Sequence, residues 1–128
     1  MNSSFKDLKV WQKAMDLAEE VYGLTEVFPK HEIYGLTNQM RRAAVSVPSN
    51  IAEGRGRSTD RDFVYFLHHS RGSLHELETQ LLIARRRNYM SEAAFHPLNE
   101  LIQEIGRMLN GLITALERDG NAVASGSR

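Results

Sequence analysis

The sequence predicts an all-α fold, an antiparallel up-down four-helix bundle, and three observations carry that reading. Apolar residues recur at alternating spacings of three and four along almost the whole chain, the period of a helix with one buried face. Sustained alternation of apolar and polar residues, which a half-buried strand requires, occurs nowhere. Four periodic stretches are separated by short breaks rich in Pro, Gly or Asn, and short connections favour antiparallel neighbours. A length of 128 residues suits one domain with its own core, placed at 5–118.

The first helix is expected over about 7–28. Leu8, Trp11, Met15, Ala18, Tyr22 and Thr25 form one heptad seam, and Val10, Ala14, Leu17, Val21, Leu24 and Phe28 form a second beside it. Two adjacent seams exceed what one bundle core consumes, and an apolar patch of that size marks an interface. Val10, Trp11, Leu17, Val21, Leu24 and Phe28 are therefore assigned to contacts between copies of the chain in a closed cyclic homo-oligomer. Pro29 ends the helix.

The second helix, about 34–53, aligns Ile33, Leu36, Met40, Ala43, Val47 and Ile51. Pro48 lies inside that stripe without shifting its phase, which predicts a kink within one helix. Gly54 and Gly56 then break the chain in EGRGRS. Ser58 or Thr59 caps a third helix over about 59–87, with Asp60 and Asp62 in the first turn, where the dipole favours acids. Its seam is Phe63, Leu67, Ser70, Leu74, Leu77, Leu81 and Ala84; Arg85, Arg86 and Arg87 suit its negative end, and Asn88 stops it. Ser91 caps a fourth helix over about 92–117, Pro97 suits its first turn, and the cleanest stripe in the chain runs from Leu98 to Leu116. Residues 119–128 have little to bury and are expected to be a disordered tail.

Composition narrows the function. Sixteen basic residues balance sixteen acidic ones, but the distribution is uneven: residues 41–87 hold nine Arg against five acids, and both flanks are net negative. A local anionic partner is admitted, while a general polyanion sponge is not. The absence of cysteine removes disulfides, thiol nucleophiles and thiolate metal sites together. The longest apolar run, FVYFL at 63–67, falls far short of the ~20 residues that span a bilayer. The start, MNSSFKDLKV, lacks the apolar stretch of a signal peptide, so a soluble cytoplasmic protein without a membrane partner is expected.

Catalysis finds little support. A carboxylate-bridged di-metal site in such a bundle needs Glu-x-x-His on two helices, and the sequence contains none; Glu92 with His96 is the nearest approach. Ser73 and His75 point to different sides of one helix, with no orienting acid at local range. The glycines of EGRGRS match neither phosphate-loop spacing and follow no strand. No enzyme, metal or cofactor is expected.

Two polar stripes stand in register. Gln39, Arg42, Ser46, Ser49 and Glu53 follow heptad spacing on the second helix with Asn50 alongside, and His69, Ser73, Glu76 and Gln80 do so on the third. Both can be solvated faces. Alternatively they meet at a helix or subunit interface, a polar network of Gln39, Arg42, Ser46, Asn50, Glu53, Ser73 and Glu76 in which Arg42 pairs with Glu53 or Glu76.

The strings FKDLKVWQKA at 5–14, FPKHEIYGLTNQMRRAAVSVPSNIAEGRGR at 28–57 and RGSLHELETQLLIA at 71–84 closely resemble the four-helix bundle protein family, also called the 23S rRNA-intervening sequence protein family. The match covers about residues 5–117, and SVPSNIAEG at 46–54 followed by GSLHELE at 72–78 is its most specific part. The resemblance implies an up-down bundle in a ring-like homopentamer. It also implies relatives encoded in intervening sequences of ribosomal RNA genes, and others that are accessory proteins of diversity-generating retroelements, where a basic pentamer engages a reverse transcriptase and nucleic acid. This chain departs from those retroelement relatives in being neutral overall.

Two functions follow as expectations. In one, the oligomer is a non-catalytic adaptor for RNA, DNA or a nucleic-acid enzyme, contacting phosphate through Arg41, Arg55, Arg57, Arg61, Arg85, Arg86 and Arg87 and multiplying weak contacts by symmetry. In the other it is a protein-interaction scaffold whose charges serve solubility and pairing; the zero net charge and the lack of an aromatic RNA-reading motif favour that version.

Overall fold

A computed structural model describes the backbone of residues 4–126 and side chains as far as Gly120. Four helices account for most of it: α1 (Lys9–Thr25), α2 (Leu36–Arg55), α3 (Asp60–Arg86) and α4 (Glu92–Gly126), with single 3-10 turns at Phe5–Asp7 and Lys30–Glu32. The described residues contain no strand.

The capping residues act as their chemistry requires. The Thr59 hydroxyl accepts from Asp62 N at 3.1 Å, and Ser91 Oγ accepts from Ala94 N at 3.2 Å. Asn88 adopts φ 61°, a left-handed conformation that Asn tolerates better than most residues. It places Tyr89 N on Ala84 O at 2.9 Å and Asn88 N on Arg85 O at 3.1 Å, the paired closing bonds of a Schellman end. α1 stops at Thr25, three residues before the expected end, because the chain turns there to put Phe28 into the core beside Tyr89. α2 runs unbroken through Pro48. Pro97 sits in the second turn of α4 rather than the first. α4 also continues to Gly126, beyond the expected end at 117 and through most of the segment expected to be disordered; extending a formed helix adds a hydrogen bond per residue at low cost. Residues 127–128 of that segment lie outside the described residues.

One core binds the helices. Leu17 and Val21 of α1, Met40, Val47 and Ile51 of α2, Leu67, Leu74, Leu77 and Leu81 of α3, and Ile105 and Leu109 of α4 are fully or almost fully buried in it. The α2–α3 contact is the most extensive. Gly54 makes it close: a Cβ built there would lie 2.8 Å from Phe66 Cβ and 2.9 Å from Phe63 Cδ1. Further along, Ser70 Oγ donates to Val47 O at 2.9 Å, and Ser46 and Ser73 share a hydrogen bond of 2.8 Å.

Candidate nucleic-acid interface

Six of the seven candidate arginines fall into two groups at opposite ends of α3, whose 27 residues span about 40 Å. At the first end, α2 closes on Gly56 and α3 opens on Thr59, leaving an open cleft of about 700 Å³ that Arg55, Arg57 and Ser58 line together with Ser4 and Phe5. Arg57 pairs with Glu53 one helical turn back, and its guanidinium lies over the Phe66 ring at 4.7 Å. Both partners of that pair are half-exposed, so it costs little to exchange for a phosphate. Arg61 is exposed between Asp60 and Asp62, which damp its field.

At the far end Arg85, Arg86 and Arg87 finish α3, where the C-terminal dipole favours cations. Arg85 donates to Asn88 Oδ1 at 3.4 Å and stands 4.0 Å from Glu92. Arg86 and Arg87 are exposed. Beside this end Glu32 is tied to Tyr89: its carboxylate accepts from Leu36 N at 3.1 Å and from the Tyr89 hydroxyl at 2.8 Å. Those two hydrogen bonds, with smaller contributions from His31 and Arg87 set against some desolvation, hold the Glu32 carboxyl below the usual carboxylate range. Arg41 belongs to neither end: its Nε donates to Thr25 Oγ1 at 2.9 Å, and its guanidinium covers the Tyr22 ring at 4.8 Å in the α1–α2 groove.

The expected polar network is assembled only in part. Gln39, Arg42, Ser46, Ser73 and Glu76 do line one cleft between α2 and α3, and Asn50 Nδ2 donates to Ser46 Oγ at 2.9 Å. Within the single chain the alternative ion pair of Arg42 is absent among the described residues. Glu53 is held by Arg57, and among the described residues Arg42 bonds to neither Glu53 nor Glu76.

The interface assignment on α1 needs correction. Val10, Leu17, Val21 and Phe28 are at most 5% exposed within the single chain, and Trp11 and Leu24 pack partly buried against the same core. The seam read as surplus is the seam that the chain's own core consumes. The residues left outside are Met15 and Tyr22, from the neighbouring seam.

Sequence reasoning missed three features. Thr25 is the buried acceptor that anchors Arg41, the Glu32–Tyr89 tie joins residues 57 apart, and Gln80 is buried with its Oε1 unbonded. Two of them carried a signal, Thr25 its place in a first-helix seam and Gln80 its place in the third-helix stripe, while the Glu32–Tyr89 tie carried none.

The remaining surface differs in charge. Glu20, Glu100 and Glu104 line a groove between α1 and α4, and partial burial, then the nearby Asp16, push the Glu20 carboxyl up. Lys13 and Glu104 pair across it at 3.5 Å. No group of three or more metal-ligating side chains is gathered among the described residues, and no helix there is long and apolar enough to cross a membrane.

Known proteins align with this architecture. A crystal structure of a protein of unknown function from the S23 ribosomal protein family of Bacteroides thetaiotaomicron superposes with a TM-score of 0.74 at 21% identity, over 81% of this chain and 97% of that one, a likeness of fold. No curated protein matches the sequence. The model of the 23S rRNA-intervening sequence protein family matches residues 6–111, most of the four-helix core, and the chain belongs to that family.

Proposed function

We propose that the chain is a non-catalytic, cytoplasmic adaptor built as an up-down antiparallel bundle, assembled into a closed homo-oligomer of five subunits, and that it holds nucleic acid or nucleoprotein through the arginines at the two ends of α3. The carrying observation is the Arg85–Arg86–Arg87 run, three consecutive cations at a helix end where Arg86 and Arg87 are exposed. The family's tie to ribosomal RNA intervening sequences supplies the ligand class. Contacts of Gly54 with Phe63, Ser46 with Ser73 and Arg71 with Asn110 support helices running in alternating directions. Cyclic symmetry repeats each arginine group around a ring, so weak contacts per subunit add as avidity.

The test is binding of fluorescent RNA and DNA, single-stranded and duplex, across a salt series. Phosphate contacts require log affinity to fall with log salt by about 0.7 to 0.9 per phosphate neutralised. R85A/R86A/R87A flattens that slope; R55A/R57A flattens it only if the first cleft also takes part. A second reading, a protein-interaction scaffold, draws on the α1–α4 groove, where Glu20, Glu100 and Glu104 outnumber the one lining cation, Arg107. Absence of binding at low salt by an intact oligomer decides for the scaffold, and a monomer mass by light scattering at micromolar concentration removes the assembly.

A further inference from the structure

The outer face of α3 joins the two arginine ends. From Arg61 to Arg86, alternating spacings of four and three run through Tyr65, His68, His75 and Leu82 and mark one exposed stripe about 37 Å long. The stripe holds no carboxylate. The acids of α3 are turned elsewhere: Glu78 accepts from Gln103 of α4 at 2.8 Å, Glu76 lines the cleft toward α2, and Asp60 and Asp62 occupy the first turn, where the helix dipole favours them. Neither Arg61 nor Arg86 bonds to another side chain among the described residues.

Rings stand between those cations, and their places are fixed. Tyr65 is 58% exposed, yet Phe66 braces it at 5.2 Å and His69 at 4.5 Å between centroids, and the Arg57 guanidinium backs Phe66 at 4.7 Å. On the flank toward α4, Arg71 and His68 Nδ1 lie 2.8 Å apart. A guanidinium has only donors, so Nδ1 accepts and the Nε2 proton remains for an outside acceptor. Cations that meet phosphate and held rings that offer a face for stacking are the two parts of a single-strand platform. A duplex uses only the first, because its base faces are already stacked on one another. A second copy of the chain matches less well: subunit interfaces centre on contiguous apolar area, and this stripe offers Leu82 and its neighbour Ile83 among imidazoles, whereas Tyr22 and Val45 share a groove between α1 and α2. We infer that the outer face of α3 binds single-stranded nucleic acid lengthwise, with bases stacked on Tyr65 and the neighbouring imidazoles and phosphates on Arg61 and Arg86. A strand at about 3.4 Å per nucleotide covers the stripe in about eleven. The inference rests on the nucleic-acid reading above and narrows it to unpaired strands.

The test is fluorescence anisotropy of labelled RNA and DNA strands of about 12 nucleotides, each single and as a duplex, titrated with the full chain across a salt series. Single strands of at least one kind are expected to bind about tenfold more tightly than the matching duplex. Tyr65→Leu should weaken them about tenfold and leave the salt slope unchanged, because the tyrosine meets no phosphate. Tyr34→Leu, which removes a tyrosine 93% exposed between α1 and α2, should change nothing. Arg61→Gln should lower the slope by about 0.7, one single-strand phosphate. Each variant is checked for helix content and for mass by light scattering. Equal binding of strand and duplex overturns the inference, and so does Tyr65→Leu at wild-type affinity. Loss of oligomer mass in Tyr65→Leu also overturns it, since a second copy then covers the stripe. In those cases the salt slope and its loss in R85A/R86A/R87A still stand and the nucleic-acid reading survives; only a chain that binds neither strand nor duplex at low salt removes both.

Discussion

Gly54→Ala isolates the contact that sets the α2–α3 separation. The new Cβ falls 2.8 Å from Phe66 Cβ, 2.9 Å from Phe63 Cδ1 and 3.2 Å from Phe63 O. A ring can rotate away, but Phe66 Cβ and Phe63 O are fixed to the α3 backbone, so the helices themselves must separate. Overpacking of this kind costs about 1–3 kcal/mol, and rigid backbone neighbours place it in the upper half. Alanine recovers about 1 kcal/mol of helix propensity, which leaves a net loss of about 1–2 kcal/mol. Gly72→Ala in α3 and Gly111→Ala in α4 are the matched controls, because a Cβ at either meets nothing within 4 Å. Each should gain about 0.5–1 kcal/mol. The assay is urea unfolding followed by circular dichroism at one fixed protein concentration, since self-association would make stability depend on concentration. The opposite signs of chemically identical substitutions are the result to look for. If Gly54→Ala stabilises as the controls do, the close approach of α2 and α3 is not a constraint and the reasoning fails.

Three further outcomes follow from the same contacts. Ser70→Ala removes the buried bond to Val47 O and should lower stability by about 0.5–1.5 kcal/mol in urea unfolding, with the slope unchanged. Asn88→Ala should cost about 1 kcal/mol and Asn88→Gly almost nothing, because only the first forces a Cβ without a compensating side-chain amide into the left-handed region. The folded-state pKa of Glu32 lies below its unfolded value, so its contribution to stability is complete above the ordinary carboxylate range and is lost as pH falls through the depressed value. Tyr89→Phe deletes one of the two hydrogen bonds responsible; carboxyl NMR titration should then show the Glu32 pKa moving up, and acid unfolding should lose part of its pH dependence.

Helix period made most of the fold legible. Every residue of the expected α3 seam, from Phe63 to Ala84, is buried, and so are Leu98, Ile102, Ile105, Leu109 and Ile113 of α4. Thr59, Asn88 and Ser91 also announced their own positions, since capping rests on side-chain chemistry within three or four residues. Contacts across longer spans had no such local mark. Glu32 and Tyr89 form a tie that no spacing rule could pair, and Gly54 reads as a breaker in sequence although it is buried inside α2 against α3. The polar stripes show the same boundary between face and partner. Spacing placed Arg42, Ser46, Ser73 and Glu76 on facing sides of two helices, yet which atoms bond depends on helix separation and side-chain reach: the two serines meet, while Arg42 and Glu76 do not.

The exchange of seams on α1 bears directly on assembly. Residues one position apart on a helix differ by about 100° in direction, so the Val10 and Trp11 seams diverge by roughly a quarter turn, and periodicity cannot choose which of them faces inward. The core settles the choice for Ala14, Leu17 and Val21, all at 0% exposure, and a surface with no accessible area contributes nothing to association. A homo-oligomer must therefore draw on apolar area that the single chain leaves outside. On α1 that means Met15 and Tyr22, and on α2 it means Val45, which shares a groove with Tyr22, Arg41 and Arg42. The guanidinium of Arg41 over Tyr22 then serves this groove by holding the ring in place, which accounts for an arginine of the basic block being turned away from both ends of α3. The basic block of the sequence is thus divided in space: Arg41 packs at the α1–α2 groove, Arg71 bonds α3 to Asn110 of α4, and six arginines place their charge at the ends of α3, a division that net charge along the chain does not reveal.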